Sequence, residues 1–249
     1  MKIKSILISQ PKPESERSPY FDLSKSQKVQ LDFQPFLKVE GVEAAELRKH
    51  RVDFNEYNCI VLTSKNAVDH YFRLASEMRY QVSENNKYFC TTEAIALYLQ
   101  KYIVYRKRKI FHGTQGLEDI TDTLKKNKEE RFLFPCSDKH RDKVTILFES
   151  LKLKFNKAVF YKTVFSDMNH LDIYGYDMLI FFSPNGIESL MHNFPEFDQK
   201  HLHIGVFGNG TRSIAESHGL VVHLEAPMPK APSMNMALEW YLTEKNGKK

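Results

Sequence analysis

Residues 60–72 read IVLTSKNAVDHYF and residues 179–191 read LIFFSPNGIESLM. Aligned without gaps, Ser64 meets Ser183, Asn66 meets Asn185, and Asp69 meets Glu188. The agreement continues in chain order. YFCTTEAIALYL from Tyr88 matches VFGNGTRSIAES from Val206, and TQGLEDITDTL from Thr114 matches SMNMALEWYL from Ser233, always at an offset of 118 or 119 residues. Three ordered matches imply a duplicated domain. A solenoid is excluded, because it needs several repeats of a few tens of residues.

Each copy reads as strand, polar turn, amphipathic helix. Val61-Leu62 and the run from Leu179 to Phe182 are short and wholly apolar, as in strands buried on both faces. Val68, Tyr71 and Phe72, and likewise Ile187, Leu190 and Met191, then follow at three- and four-residue spacings. Alternating strands and helices predict an α/β fold with parallel sheets and right-handed crossovers, here two small doubly wound lobes. The start of each copy matches less tightly: ILISQPKPESER from Ile6 resembles FLFPCSDKHRDK from Phe132, and FQPFLKVE from Phe33 resembles KAVFYKTV from Lys157. The segments at roughly 33–40 and 158–166 hold β-formers and no turn chemistry, which predicts linker strands between lobes.

The totals fit this reading. A chain of 249 residues with 42% hydrophobic and 27% charged residues has enough apolar material for a real core. No apolar run is long enough to span a bilayer. The apolar start Ile6-Leu7-Ile8 breaks at Ser9-Gln10-Pro11, too soon for a secretory signal, so a buried first strand is expected. Cys59, Cys90 and Cys136 are widely spaced and odd in number, which fits a reducing cytoplasm better than a disulfide framework or zinc knuckle. The net charge of +5 favours an anionic ligand without demanding nucleic acid. The basic run Arg106 to Lys109 reads as a solvated edge, and Lys245 to Lys249 as a frayed tail.

Ligands of open parallel α/β sheets bind beyond the carboxyl ends of the strands. Four such ends carry small polar residues: Thr63-Ser64-Lys65-Asn66, Cys90-Thr91-Thr92, Ser183-Pro184-Asn185-Gly186 and Gly208-Asn209-Gly210-Thr211. Ser183 suits an N-cap and Pro184 a first helical position. The turns offer free helix N–H groups, which favour carboxylates or phosphates. Gly208-Asn209-Gly210 lacks the dinucleotide spacing and a Walker lysine, so it reads as a close-approach loop. Tyr161 places a phenol at the expected lobe junction, able to donate a proton to a ligand in the cleft between the lobes. The ten histidines show no metal-binding spacing, and no serine or cysteine nucleophile motif occurs.

Taken in order, FPCSDKHRDK, VFYKT, FFSPNGIESL, FGNGTRSIAESHGL and Pro232-Ser233, with TSKNAV in the first half, resemble the uroporphyrinogen-III synthase family over nearly the whole chain. The resemblance implies two flavodoxin-like lobes joined by a two-stranded β-ladder. Residues 1–34 and 167–249 would form one lobe, 41–157 the other, and 35–40 and 158–166 the linker strands. It implies a cyclising lyase that converts hydroxymethylbilane to uroporphyrinogen III with inversion of ring D and without cofactor or metal. It implies Tyr161 as proton donor, with Thr63, Ser64, Asn66, Ser137, Ser183, Pro184, Asn185, Gly186, Gly208, Asn209, Gly210 and Thr211 around the substrate's carboxylates. A cytoplasmic monomer with no nucleic-acid or membrane partner is expected. The chain departs from the family pattern at Cys90 and Glu93, where a carboxylate would repel an anion. The alternative is a two-lobed protein that binds an anionic metabolite without turning it over.

Overall fold

The computed structural model describes residues 2–139 and 142–247. Its strands are β1 (Ser5–Ile8), β2 (Gln30–Phe33), β3 (Leu37–Gly41), β4 (Cys59–Leu62), β5 (Lys87–Cys90), β6 (Ile110–His112), β7 (Arg131–Ser137), β8 (Lys154–Phe165), β9 (Met178–Phe181), β10 (His203–Phe207) and β11 (Val222–Ala226). Its helices are α1 (Pro19–Gln27), α2 (Ala44–Lys49), α3 (Lys65–Glu77), α4 (Glu93–Tyr98), α5 (Thr121–Lys126), α6 (Lys143–Ser150), α7 (Pro184–Asn193), α8 (Asn209–Ser217) and α9 (Met234–Gly247). The chain divides into two compact units, Met1–Lys38 with Phe165–Lys249, and Val39–Val164.

The first unit holds a five-stranded sheet in the order β11-β10-β9-β1-β2, with parallel neighbours throughout. The second sheet runs β3-β8-β7-β4-β5-β6, and the pairs from β8 to β6 are parallel. Set side by side, β2-β1-β9-β10-β11 and β8-β7-β4-β5-β6 are the same doubly wound pattern. The segments that match in sequence hold the same places: Ile6 and Phe132 begin or enter corresponding strands, as do Ile60 and Leu179, and Tyr88 and Val206. In chain order the second unit starts at the third position of this pattern and is inserted after the second strand of the first unit. The two units are thus circular permutations of one design.

β4 and β9 are buried along their whole length. Their alternating residues feed different core layers. Ile60 and Leu62 pack with Ala67, Val68, Tyr71 and Leu74 of α3, whereas Cys59 and Val61 pack with Phe89, Phe132 and Phe148. In the first unit Ile6, Ile8, Met178 and Ile180 meet Leu238 and Leu242 of α9, while Leu7, Leu179 and Phe181 meet Ile187 and Leu190 of α7. A covered parallel sheet needs this continuous apolar character, because both faces of each strand are out of water.

The expected extended segments differ in detail. The first is broken: β2 ends at Phe33 and β3 begins at Leu37. Between them Pro35 lacks an N–H for the ladder, and Phe36 turns inward, 1% exposed, its ring edge-on to Phe181. The Phe36 carbonyl accepts hydrogen bonds from the Ser189 hydroxyl and the Ser166 N–H. The second segment is longer than expected, because β8 starts at Lys154 and pairs along β7. The register slips there: Cys136 stands opposite Val159, and Ser137 opposite Tyr161. This extra residue turns Phe160 and Tyr161, consecutive in sequence, into the same core layer beneath α3.

Candidate active site

In the second unit, β4 runs into Thr63 and Ser64 before α3 begins. Ser64 has extended backbone angles, and its Oγ accepts the Ala67 N–H at 3.0 Å, an N-cap that relieves one of the helix's unpaired donors. The same Oγ lies 3.0 Å from the Tyr161 hydroxyl. Tyr161 reaches it because of the slip in β8, and its ring stacks on the His70 imidazole at 5.2 Å between centroids. Arg73 of α3 donates Nε–H to His70 Nδ1 at 3.2 Å and Nη2–H to the Val42 carbonyl. His70 therefore presents Nδ1 as an acceptor and carries its proton on Nε2.

The neighbouring strand ends join this edge. Thr91 donates its hydroxyl to the Thr63 carbonyl at 3.4 Å. Ser137 Oγ–H donates to Asp138 Oδ1, and that oxygen also accepts the Thr163 N–H. Asn66 is exposed in the first turn of α3, where N–H groups have no partner within the helix. His140 and Arg141, from the motif that begins at Phe132, lie outside the described residues.

The first unit repeats the arrangement. Ser183 caps α7, its Oγ accepting the Gly186 N–H at 3.3 Å, with Pro184 in the first helical position. Gly186 is buried, and a Cβ there would make ordinary contacts, 3.4 Å from the Phe181 ring and 3.8 Å from Ser9 Oγ and Ser183 Oγ. Ser9, just past β1, thus comes beside Ser183. Gly208 precedes α8 at φ 83° and ψ 145°, a conformation that side chains avoid. Asn209 and Gly210 are exposed at the helix start, and a Cβ on Gly210 would lie 3.9 Å from the Pro184 ring. Asn185 is half-buried in the first turn of α7, two residues after Ser183. Thr211 differs from its expected role. It is 2% exposed and donates its hydroxyl to the Phe207 carbonyl at 2.8 Å, so its side chain serves the fold.

The electrostatics follow from burial and hydrogen bonding. Burial raises the Tyr161 pKa, and the hydrogen bond to Ser64 only partly opposes it. Tyr161 is therefore a neutral phenol at physiological pH and keeps its proton available. Burial and then the Arg73 charge lower the His70 pKa, which keeps that imidazole neutral. Burial raises the Asp138 pKa, but the Ser137 hydroxyl and the Thr163 and Lys139 N–H groups outweigh it and leave the carboxyl below its ordinary value. Burial pushes the Cys90 thiol up to about 12, so this departure from the family pattern is an inert packing residue. Glu93 is exposed at the start of α4.

Sequence reasoning did not single out His70, Ser9 or Asp138. His70 follows Ser64 by six residues, on the helix that Ser64 caps, and Ser9 stands after β1 as Ser183 stands after β9. Strand-end position was the available signal for Ser9 and Asp138. Nothing in the spacing alone placed His70 against Tyr161.

The uroporphyrinogen-III synthase HemD family model matches residues 23–235. The chain belongs to that family. It is a family of cyclising lyases in tetrapyrrole biosynthesis. No curated protein matches the sequence. Among solved structures, the uroporphyrinogen-III synthetase of Helicobacter pylori is similar at 17% identity and a TM-score of 0.58, over 97% of this chain and 100% of that one. A mutant uroporphyrinogen III synthase of the extremely thermophilic bacterium Thermus thermophilus is similar at 11% identity and a TM-score of 0.53, over 97% of this chain and 99% of that one. At these identities the structures speak for the synthase fold. Among the described residues, no helix is long and apolar enough to cross a membrane.

Proposed function

We propose that this chain closes hydroxymethylbilane, a linear tetrapyrrole, to uroporphyrinogen III with inversion of ring D and loss of water. The observation that carries the reading is the family match over 23–235, spanning both units. Cleavage of the hydroxymethyl C–O bond, driven by the electron-rich pyrrole, leaves an azafulvene. The departing hydroxide takes one proton and leaves as water. The substituted carbon of ring D then attacks the azafulvene carbon and forms a spiro intermediate, which fragments and recombines with the ring inverted. Free substrate closes instead to the uninverted isomer, so holding the chain dominates the catalysis and acid catalysis adds to it.

Tyr161 is the proton donor in this proposal. Its hydrogen bond with Ser64 supports the role. Ser64 Oγ already accepts the Ala67 N–H, so its own hydrogen can be given to the Tyr161 oxygen. In that polarity the phenol proton is free for the leaving group, and the serine stabilises the phenolate that remains. Thr63, Asn66 and Ser137 in one unit, and Ser183, Pro184, Asn185, Gly186, Gly208, Asn209 and Gly210 in the other, are proposed to surround substrate carboxylates. Exposed helix N–H groups at Asn66, Asn209 and Gly210 suit them. Thr211 contributes its position rather than its hydroxyl. Three buried free cysteines suit a reducing compartment, and we place the protein in the cytoplasm as a monomer.

The test is to generate hydroxymethylbilane in situ, add the protein, oxidise the product and separate the uroporphyrin isomers. Isomer III in excess is expected. Isomer I alone, at the spontaneous rate and with folded protein, would refute the activity.

A further inference from the structure

Tyr161 is held at two places in the second unit. Its hydroxyl meets Ser64, and one face of its ring lies on the His70 imidazole, 5.2 Å between centroids and 18° from parallel. The hydrogen bond fixes the distance of the phenol oxygen from Ser64, and the stacked face limits how the ring can turn about that bond.

His70 is itself fixed by Arg73, three residues further along α3. The guanidinium donates from Nε to His70 Nδ1 at 3.2 Å, from Nη2 to the Val42 carbonyl at 2.8 Å and from Nη1 to Glu77 at 2.6 Å. Burial, then the Arg73 charge, keep the imidazole neutral, which leaves Nδ1 its lone pair for the first of these bonds. Val42 in turn donates its N–H to the Phe160 carbonyl at 3.1 Å, so the clamp closes on the strand that carries Tyr161. Gly41 makes room for it: a Cβ there would run into the Arg73 guanidinium and lie 2.8 Å from His70 Nδ1.

The first unit builds the corresponding place differently. At the offset of 119 residues that pairs Ser64 with Ser183, His70 meets Ser189 and Arg73 meets His192. Ser189 is fully buried and donates its hydroxyl to the Phe36 carbonyl at 2.7 Å. The imidazole and guanidinium thus belong to the unit that carries the phenol, where the other copy uses a plain bond from helix to backbone.

We propose that His70 is a positioning residue for the reaction, holding the Tyr161 phenol at the angle from which it gives its proton, with Arg73 and Gly41 holding His70. This rests on the assignment of Tyr161 as the proton donor. His70 needs no contact with the substrate, so its effect on turnover passes through Tyr161.

Isomer III formation is measured against hydroxymethylbilane concentration for wild type, His70→Ala, Tyr161→Phe and the double variant, each shown to be folded by its urea midpoint. His70→Ala should lower kcat about tenfold with KM changed less than about twofold, a smaller loss than removal of the phenol itself. In the Tyr161→Phe background the same change should cost less than about twofold, because no donor remains to be positioned. A second measurement needs no turnover. In protein with carbon-13-labelled tyrosine, the Tyr161 ring signals are assigned by their loss in Tyr161→Phe. Arg73→Met and Gly41→Ala, which disturb the hold on His70, should each shift those signals. Unchanged kcat in His70→Ala, an equal loss in both backgrounds, or Tyr161 signals that stay in place in Arg73→Met would overturn the inference. Wild type that forms only isomer I would instead refute the synthase reading and with it the catalytic use of the clamp, whose existence the ring signals decide separately.

Discussion

Removing the Ser64 and Tyr161 hydroxyls singly and together separates two jobs that Ser64 performs. Tyr161→Phe deletes one hydrogen bond of 3.0 Å and leaves the Ser64 cap on the Ala67 N–H in place. The expected cost is about 1 kcal/mol of stability, that of a neutral hydrogen bond. Ser64→Ala removes the cap, worth about 1 kcal/mol, and strands the phenol in a site that leaves Tyr161 7% exposed, worth a further 1–3 kcal/mol or so. The double variant loses the cap but no longer strands a hydroxyl. Its cost should fall about 1–3 kcal/mol short of the sum of the single changes, the stranding cost itself, a coupling readable from urea denaturation of the four proteins. Formation of isomer III in the same set should fall about 100-fold in Tyr161→Phe, the lower part of the range for a general acid, because the substrate ionises readily by itself. Ser64→Ala should lose less, since the phenol keeps its proton. Additive stabilities would refute the mutual hydrogen bond, and turnover in Tyr161→Phe equal to wild type would remove Tyr161 from the chemistry while leaving the family assignment intact.

Gly208→Ala should destabilise the protein by about 1–3 kcal/mol by thermal unfolding, because alanine at φ 83° is strained although nothing crowds its Cβ. Gly186→Ala meets only ordinary contacts and gains helix propensity, so stability should hold or rise by up to about 1 kcal/mol; KM should rise if a carboxylate seats beside Ser9 and Ser183. Burial, then the nearby His223 and Lys245 charges, lower the His203 pKa to about 4. The unfolded imidazole takes its proton near pH 6.5, so this stabilisation is complete above that pH and is lost as pH falls toward 4. Urea midpoints measured from pH 7 to 4 should decline less steeply in His203→Gln than in wild type.

What could be read from the chain follows how local its physics is. β4 and β9 announce themselves as apolar runs because both of their faces are covered, and Ser183-Pro184 announces α7 because cap and first-turn chemistry act within four residues. The repeat shows which segments correspond, but strand neighbours are nonlocal. Ile6 and Ile60 lie in the first wholly apolar run of each unit, yet β1 and β4 occupy different positions in their sheets. Tyr161 is the sharper case. Its place in an expected linker strand singled it out and family resemblance gave it a role, yet period-two alternation would turn it away from the layer that holds Phe160. One extra residue opposite Cys136 and Ser137 reverses this, and only the partner strand's register reveals it. The same slip brings the Tyr161 phenol to Ser64, which caps α3, and its ring onto His70 of that helix. Thr211 shows the converse: its place at a helix start was legible, but the carbonyl that takes its hydroxyl belongs to the preceding strand end. Candidate polar residues can therefore be found from strand-end position, whereas which of their hydrogens remain free for a ligand is decided by the bulges and carbonyls around them.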